Sequence, residues 1–289
     1  MADPFVELSD RLVPESAFDE AFDRVDPVSR AWIKKNISQL HSMYSHRGCP
    51  GRRVDLEWSQ GFQSRMEERP FAGVAVCFPS RLLASPRLVA AVLPPLAAGV
   101  QRCCAVRFGA RGEQWDPLLL AALELAGIEE VYDADPEGFQ AWVANLGQDS
   151  GTRLVFLEEP EAARGAGASC GGPVLLPAVA KLGLWFEEPE QWDLEALRIA
   201  HPRAELLVGG PAAPKAEYPR ERVVEGSAEE LFAAGPDALY VPPFLLRAAA
   251  SHCSRVLGPG QEGCWIWPEL APESFLKRTL CLSQSDSPP

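Results

Sequence analysis

The feature that most restricts this chain is a regular alternation of short, unbroken apolar runs with helical segments between Gly73 and Leu157. Gly73-Val74-Ala75-Val76-Cys77-Phe78 is apolar throughout, as a strand buried on both faces must be, and Pro79 ends it. Cys103 to Phe108 repeats the pattern, Glu130-Val131-Tyr132 gives a shorter strand, and Leu154-Val155-Phe156-Leu157 gives another. Between them Pro86 to Ala98 reads as a helix, with Pro86 well placed in its first turn and Pro94-Pro95 expected to kink or end it. Asp116-Pro117 caps a second helix over Leu118 to Leu125, closed by Gly127, and Pro136 to Leu146 forms a third, closed by Gly147. Repeated β-α units of this size predict an α/β fold, a Rossmann-like, mostly parallel sheet covered on both faces.

The flanks read differently. The first seventy residues are predicted to be a helical arm. Ala17-Phe18, Ala21-Phe22 and Val25 recur at helical spacing, Asp26-Pro27 restarts the helix, and Val28, Trp32, Ile33, Ile37, Leu40 and Tyr44 mark one stripe for a core or a partner subunit. Arg47 to Arg53 reads as a loop, and Glu158 to Pro177 as a loose stretch. Further on, Trp192 to Ala200 is a helix candidate, while Leu206-Leu207-Val208 and Ala238 to Val241 are strand candidates separated by the links around Gly209-Gly210-Pro211. The division this implies is a helical arm over 1–70, a Rossmann-like domain over 71–160, a shortened second α/β portion over 161–245 and a C-terminal extension over 246–289, with a polar, frayed tail beyond Ser283.

Composition narrows the function classes. Of 289 residues 47% are hydrophobic and 23% charged, a globular balance. The formal charge of −13, with no Lys/Arg-rich run, argues against nucleic acid as a partner. The first residues carry no basic leader, and Leu88 to Val100 is too short and too proline-broken to cross a bilayer, so the expectation is a cytoplasmic protein without a membrane partner. Eight cysteines without a CxxC pair fit reduced thiols better than disulfides or a zinc ribbon.

Two stretches resemble histidinol dehydrogenase, within the aldehyde-dehydrogenase-like group. Phe78-Pro79-Ser80-Arg81, the segment Ser85 to Val100 with its "proline, then Ala-Gly-Val" ending, and Asp116 to Tyr132 follow that family's strand, turn and helix succession. Gly235 to Val241 resembles its late strand, Glu273 to Thr279 its closing segment, and Trp32 to Tyr44 its early helix. The resemblance implies a homodimer and raises NAD as a possible cofactor. It does not carry over the family's zinc chemistry, which needs a His-containing metal site and a Glu-His pair for proton transfer. The chain has no Glu-His or Gln-x-x-His pair; Arg255 stands where the family places a metal-binding His, Asp135-Pro136-Glu137-Gly138 replaces its Gly-Gly-Ala-Gln element, and Pro79-Ser80-Arg81 replaces its Pro-Gly-Gly turn.

The leading expectation is therefore a degenerate relative that binds a small ligand or a partner protein. Its ligand site would be Phe78, Pro79, Ser80 and Arg81, at the strand end where doubly wound sheets bind ligands, with the Arg81 guanidinium able to grip a carboxylate or phosphate. The alternative is an NAD(P)-dependent oxidoreductase using Cys170, which lies in the small-residue loop Gly-Ala-Ser-Cys-Gly-Gly. His252-Cys253, and His41 with His46, have poor metal spacing; His201 precedes a proline and offers no chemistry by itself; Cys103-Cys104 and Trp185, Trp192, Trp265 and Trp267 read as core or interface packing.

Overall fold

The computed structural model describes residues 5–45, 51–109, 112–146, 151–158, 160–165, 172–213 and 221–284. A 3-10 turn over Val6–Arg11 leads into α1 (Glu15–Arg24) and α2 (Pro27–Tyr44). Asp26 starts α2 as expected, its Oδ1 accepting from the Val28 and Ser29 amides at 2.9 Å, with Pro27 in the first turn. Ile33, Leu40 and Tyr44 are the buried members of the predicted stripe.

The helical expectation fails after Tyr44. Arg52–Trp58 (β1) and Phe62–Pro70 (β2) form an antiparallel hairpin, and Leu276–Gln284 (β13) from the far end of the chain pairs with the other edge of β2. Val54, Leu56 and Trp58 alternate with charged residues at a period of two, and Gly61 (φ +82°) makes the turn. Arg52 and Arg53, expected in a loop, belong to β1.

The predicted parallel sheet is present, with five strands in the order β5-β4-β3-β6-β7. They are β3 (Gly73–Pro79), β4 (Arg102–Phe108), β5 (Glu130–Ala134), β6 (Thr152–Leu157) and β7 (Val174–Leu176). The last lies in the stretch expected to be loose, which also contains a 3-10 turn over Pro160–Gly165. The connecting helices are α3 (Ser85–Ala97), α4 (Pro117–Leu125) and α5 (Pro136–Asn145). Helix α3 ends at Ala97, just past Pro94-Pro95, whose carbonyls accept from the Ala98 and Val100 amides.

A second parallel sheet follows, in the order β10-β9-β8-β11-β12. Its strands are β8 (Lys181–Trp185), β9 (Glu205–Gly209), β10 (Glu221–Val223), β11 (Ala238–Tyr240) and β12 (Val256–Leu257), with α6 (Leu194–Ala200), α7 (Ala228–Ala233) and α8 (Leu246–Ala249). One continuous apolar core joins the two sheets: Val74, Val76 and Val155 of the first share it with Leu182, Leu206 and Tyr240 of the second, and with Trp265 and Trp267. A separate cluster on the other face of the first sheet is completed by Phe5 and Leu8, with Phe5 packed against Trp142 at 5.8 Å.

Gly210 shows how tightly the second sheet is closed. Its φ is +111°, and a Cβ there would lie 2.2 Å from the Phe186 carbonyl oxygen. Gly210→Ala must both strain the backbone and displace Phe186, so it is expected to cost more than about 2 kcal/mol. Urea unfolding would show this as a lower midpoint at unchanged slope.

Candidate functional site

All five strands of the first sheet run parallel, so their carboxyl ends share one edge. The chain goes from β3 outward through β4 to β5 and returns to β6 on the other side of β3, which makes the β3–β6 gap the topological switch point where such sheets bind ligands. The residues that follow β3, β4 and β6 meet there. The Ser80 amide donates to the Phe108 carbonyl at 2.9 Å, Gly109 (φ +81°) lies beside the Ser80 hydroxyl, and the Arg81 guanidinium donates to the Glu158 carbonyl at 3.3 Å.

Glu158 is the one non-glycine residue among those described with a left-handed backbone, φ 60°. Such conformations persist where neighbours enforce them. Its amide donates to Leu176 at 3.0 Å, and its carboxylate receives the Arg87 guanidinium at 2.8 Å. Arg87, in the first turn of α3, is buried and joins the two sheets: Nη1 also reaches the Val179 carbonyl, and Nε and Nη2 lie 3.2 and 3.0 Å from His201 Nδ1. The Trp267 indole donates to the Arg87 carbonyl, and the Trp265 ring lies 5.4 Å from the guanidinium.

This geometry sets the state of His201. A guanidinium has donors only, so Nδ1 must accept; the ring proton sits on Nε2 and is donated to the Tyr240 hydroxyl at 3.2 Å. Burial first, and the Arg87 charge second, hold the imidazole pKa well below its usual value. Burial likewise lowers Arg87, and the Glu158 carboxylate opposes that effect. Burial pushes the Tyr240 hydroxyl up. His201, read as idle from its place before Pro202, is the centre of a buried polar network. Nothing local signals this, because its partners come from three distant segments.

The predicted ligand residues separate into two pairs. Phe78 and Pro79 are buried, Phe78 packing edge-on to Trp115 at 6.1 Å, so their side chains do not face the rim. Ser80 is half-buried and Arg81 exposed. A crevice of about 300 Å³ opens on the same edge, with Phe108, Gly109, Phe139, Gln140, Glu161 and Ala162 among its walls. Phe108 and Phe139 stack within it at 4.5 Å. Cys170 lies outside the described residues. Of the thiols that are described, burial pushes Cys103 up to about 12 and Cys264 up to about 11, which makes both poor nucleophiles at neutral pH.

No family model and no curated protein matches the sequence. Solved structures do. The crystal structure of histidinol dehydrogenase from Elizabethkingia anophelis superposes with a TM-score of 0.60 at 14% identity, covering 96% of this chain and 78% of that one. An indole-3-acetaldehyde dehydrogenase in apo form gives 0.51 at 12% identity, over 98% of this chain and 87% of that one. Aldehyde dehydrogenase 21 from Physcomitrella patens, in complex with the reaction product succinate, gives 0.51 at 11% identity, over 94% and 90%. The chain has the histidinol and aldehyde dehydrogenase fold.

The resemblance raises zinc and a dinucleotide, and the described residues offer neither a cluster of metal ligands nor an uncapped, open helix start at this edge. Among them no group of three or more His, Cys, Asp or Glu side chains could hold a metal ion. His201 has both ring nitrogens committed, His252 packs on Phe232, and Arg255 is buried with its guanidinium bound to Glu269 at 2.8 Å and to the Asp237 carbonyl at 3.3 Å. A helix N-terminus that seats a dinucleotide pyrophosphate needs its first amides open. Here Asp116 caps α4 by accepting from the Leu118 amide, and Asp135 caps α5 by accepting from the Gly138 amide while pairing with Arg11. The first turn of α3 is buried.

The His201 site predicts a pH dependence. The unfolded chain gains a proton below the ordinary histidine pKa that the folded site refuses, so this group's stabilisation is complete above pH ~6.5 and is lost as pH falls below it, by at most about 1.4 kcal/mol per unit. Denaturant melts across this range should show a steeper loss in the native chain than in His201→Gln. Arg87→Met leaves the half-buried Glu158 and the buried His201 without their shared partner and should cost about 3 kcal/mol or more in the same experiment.

Proposed function

We propose that this protein is a histidinol-dehydrogenase-like scaffold without zinc chemistry that binds a small ligand at the carboxyl rim of its first sheet. The observation that supports this reading is the crevice lined by Phe108, Gly109, Gln140, Glu161 and Ala162 at the carboxyl edge of the first sheet, where Arg81 also lies at the end of the adjoining strand. The edge of the buried Phe108–Phe139 stack gives the crevice an apolar wall, Gln140 and Glu161 offer polar contacts, and Arg81 stands at the adjacent strand end for a carboxylate. Of the polar groups behind the rim, Glu158 is held by Arg87, and His201 by Arg87 and Tyr240.

The test has two parts. Purified protein is first assayed for bound zinc and for a melting shift with NAD, NADP, ATP and zinc. The expected result is no stoichiometric metal and no concentration-dependent shift; a native-state ligand at a hundred times its Kd would stabilise by about 2.7 kcal/mol and could not be missed. A fragment library is then screened by ligand-observed NMR, and binders should be lost in Ala162→Phe, which fills the crevice. Oxidation of histidinol, a clear shift with NAD or NADP, or binders indifferent to Ala162→Phe would each overturn the proposal; turnover abolished by Cys170 alkylation would favour the thiol-dependent oxidoreductase.

A further inference from the structure

A second groove lies where α1 packs against α4 and the chain enters β5, at the opposite end of that strand from the Phe108–Phe139 crevice. Its volume is about 550 Å³, within the range of small-molecule sites. Leu12, Val13, Phe18 and Ile128 give it an apolar lining, and Leu12 is 50% exposed there. Glu15 and Asp19 of α1 stand on one side of this apolar strip. Glu124 of α4 and Glu129, just ahead of β5, stand on the other, and no Lys or Arg lines the groove.

The chain by itself gains nothing from these charges. Glu15 and Asp19 are four residues apart on one helix, where like charges repel. Glu124 sits in the last turn of α4, the end where the helix dipole favours a cation, and that turn has no basic residue. Partial burial, then the Asp19 charge, raises the Glu124 carboxyl. Among the described residues none of the four carboxylates makes an ion pair, and Arg11, next to Leu12, is held by Asp135. Two features limit what could complement them. The carboxylates do not converge on a point: no three acidic or other ligating side chains among the described residues could hold a metal ion. The lining is also only a handful of residues, against roughly 20–30 a side in a stable protein interface.

We infer that this groove binds a linear aliphatic polyamine. Its methylene segments lie along Leu12 and the apolar strip, and its separated ammonium groups meet the carboxylates on the two sides. An extended cation with an apolar body satisfies both the spacing of the charges and the lining between them, which a point ion cannot do. The site is independent of the ligand reading at the carboxyl edge and stands or falls separately.

Titration calorimetry on the full chain tests it, with spermidine as the probe and cadaverine, pentylamine and magnesium chloride as comparisons. Spermidine should bind with one equivalent, more tightly than cadaverine and cadaverine more tightly than pentylamine, and added salt should weaken all three. Asp19→Asn with Glu124→Gln should weaken spermidine about tenfold, the loss of two surface ion pairs. Glu15→Gln with Glu129→Gln should do the same and serves if the first pair fails to fold; all four positions are exposed. Leu12→Ser should also weaken it. Ala162→Phe, in the other crevice, should not, and neither should Glu188→Gln with Glu190→Gln, which removes the same charge elsewhere on the surface. No saturable binding of spermidine overturns the inference. So does equal competition by magnesium chloride at matched ionic strength, or an equal loss in the Glu188 and Glu190 variant. An oligolysine peptide that binds where spermidine does not would overturn it in favour of a protein partner.

Discussion

Burying a guanidinium costs several kcal/mol of lost hydration before it makes any contact. Arg87 offsets that cost by meeting Glu158 from the first sheet, the Val179 carbonyl from the segment leading into the second, His201 at the end of α6, and the face of Trp265. Two parallel sheets sharing an apolar core could slide on one another, because dispersion contacts have little directional preference. The Arg87 fork has fixed geometry, and it sets their register. The left-handed backbone of Glu158 and the single tautomer of His201 are consequences of satisfying that one side chain.

The relation to the dehydrogenase fold has the same character. Where the resemblance placed a metal-binding His, Arg255 is tied into the core between Trp265 and Trp267. Where a cofactor-facing glycine element was expected, Asp135 caps α5 and holds Arg11 of the N-terminal segment. In both places the charged residue has a definite structural partner.

The first sheet was legible in the sequence because strands buried on both faces must be apolar throughout, and Gly73 to Phe78 and Leu154 to Leu157 can be little else. Much of the rest was not. The β1-β2 hairpin was hidden because its strands are charged and its alternation is only three residues deep on β1 before Gly61. Strand β8 is interrupted by Gly183, which has to be small because a Cβ would meet Leu239 at 2.7 Å. Arg81 and Ser80 could be placed at a strand end from local pattern alone, but His201, Glu158 and Arg87 become a cluster only through contacts 71 and 114 residues apart. Periodicity carries no information about such separations.

Strand β13 completes the β1-β2-β13 sheet from more than two hundred residues away, pairing Arg278 with Glu68, while the adjoining Phe275 carbonyl accepts from the Phe71 amide. Contacts of that span are slow to form, because the whole intervening chain must first be organised. On a ribosome the hairpin emerges early, yet residues 276–284 are synthesised only after both parallel sheets. Until then β2 has an open edge, and the hairpin is a short unsupported ribbon of the kind that pairs with the wrong neighbour. The order of synthesis therefore builds both parallel sheets first and completes this antiparallel sheet last.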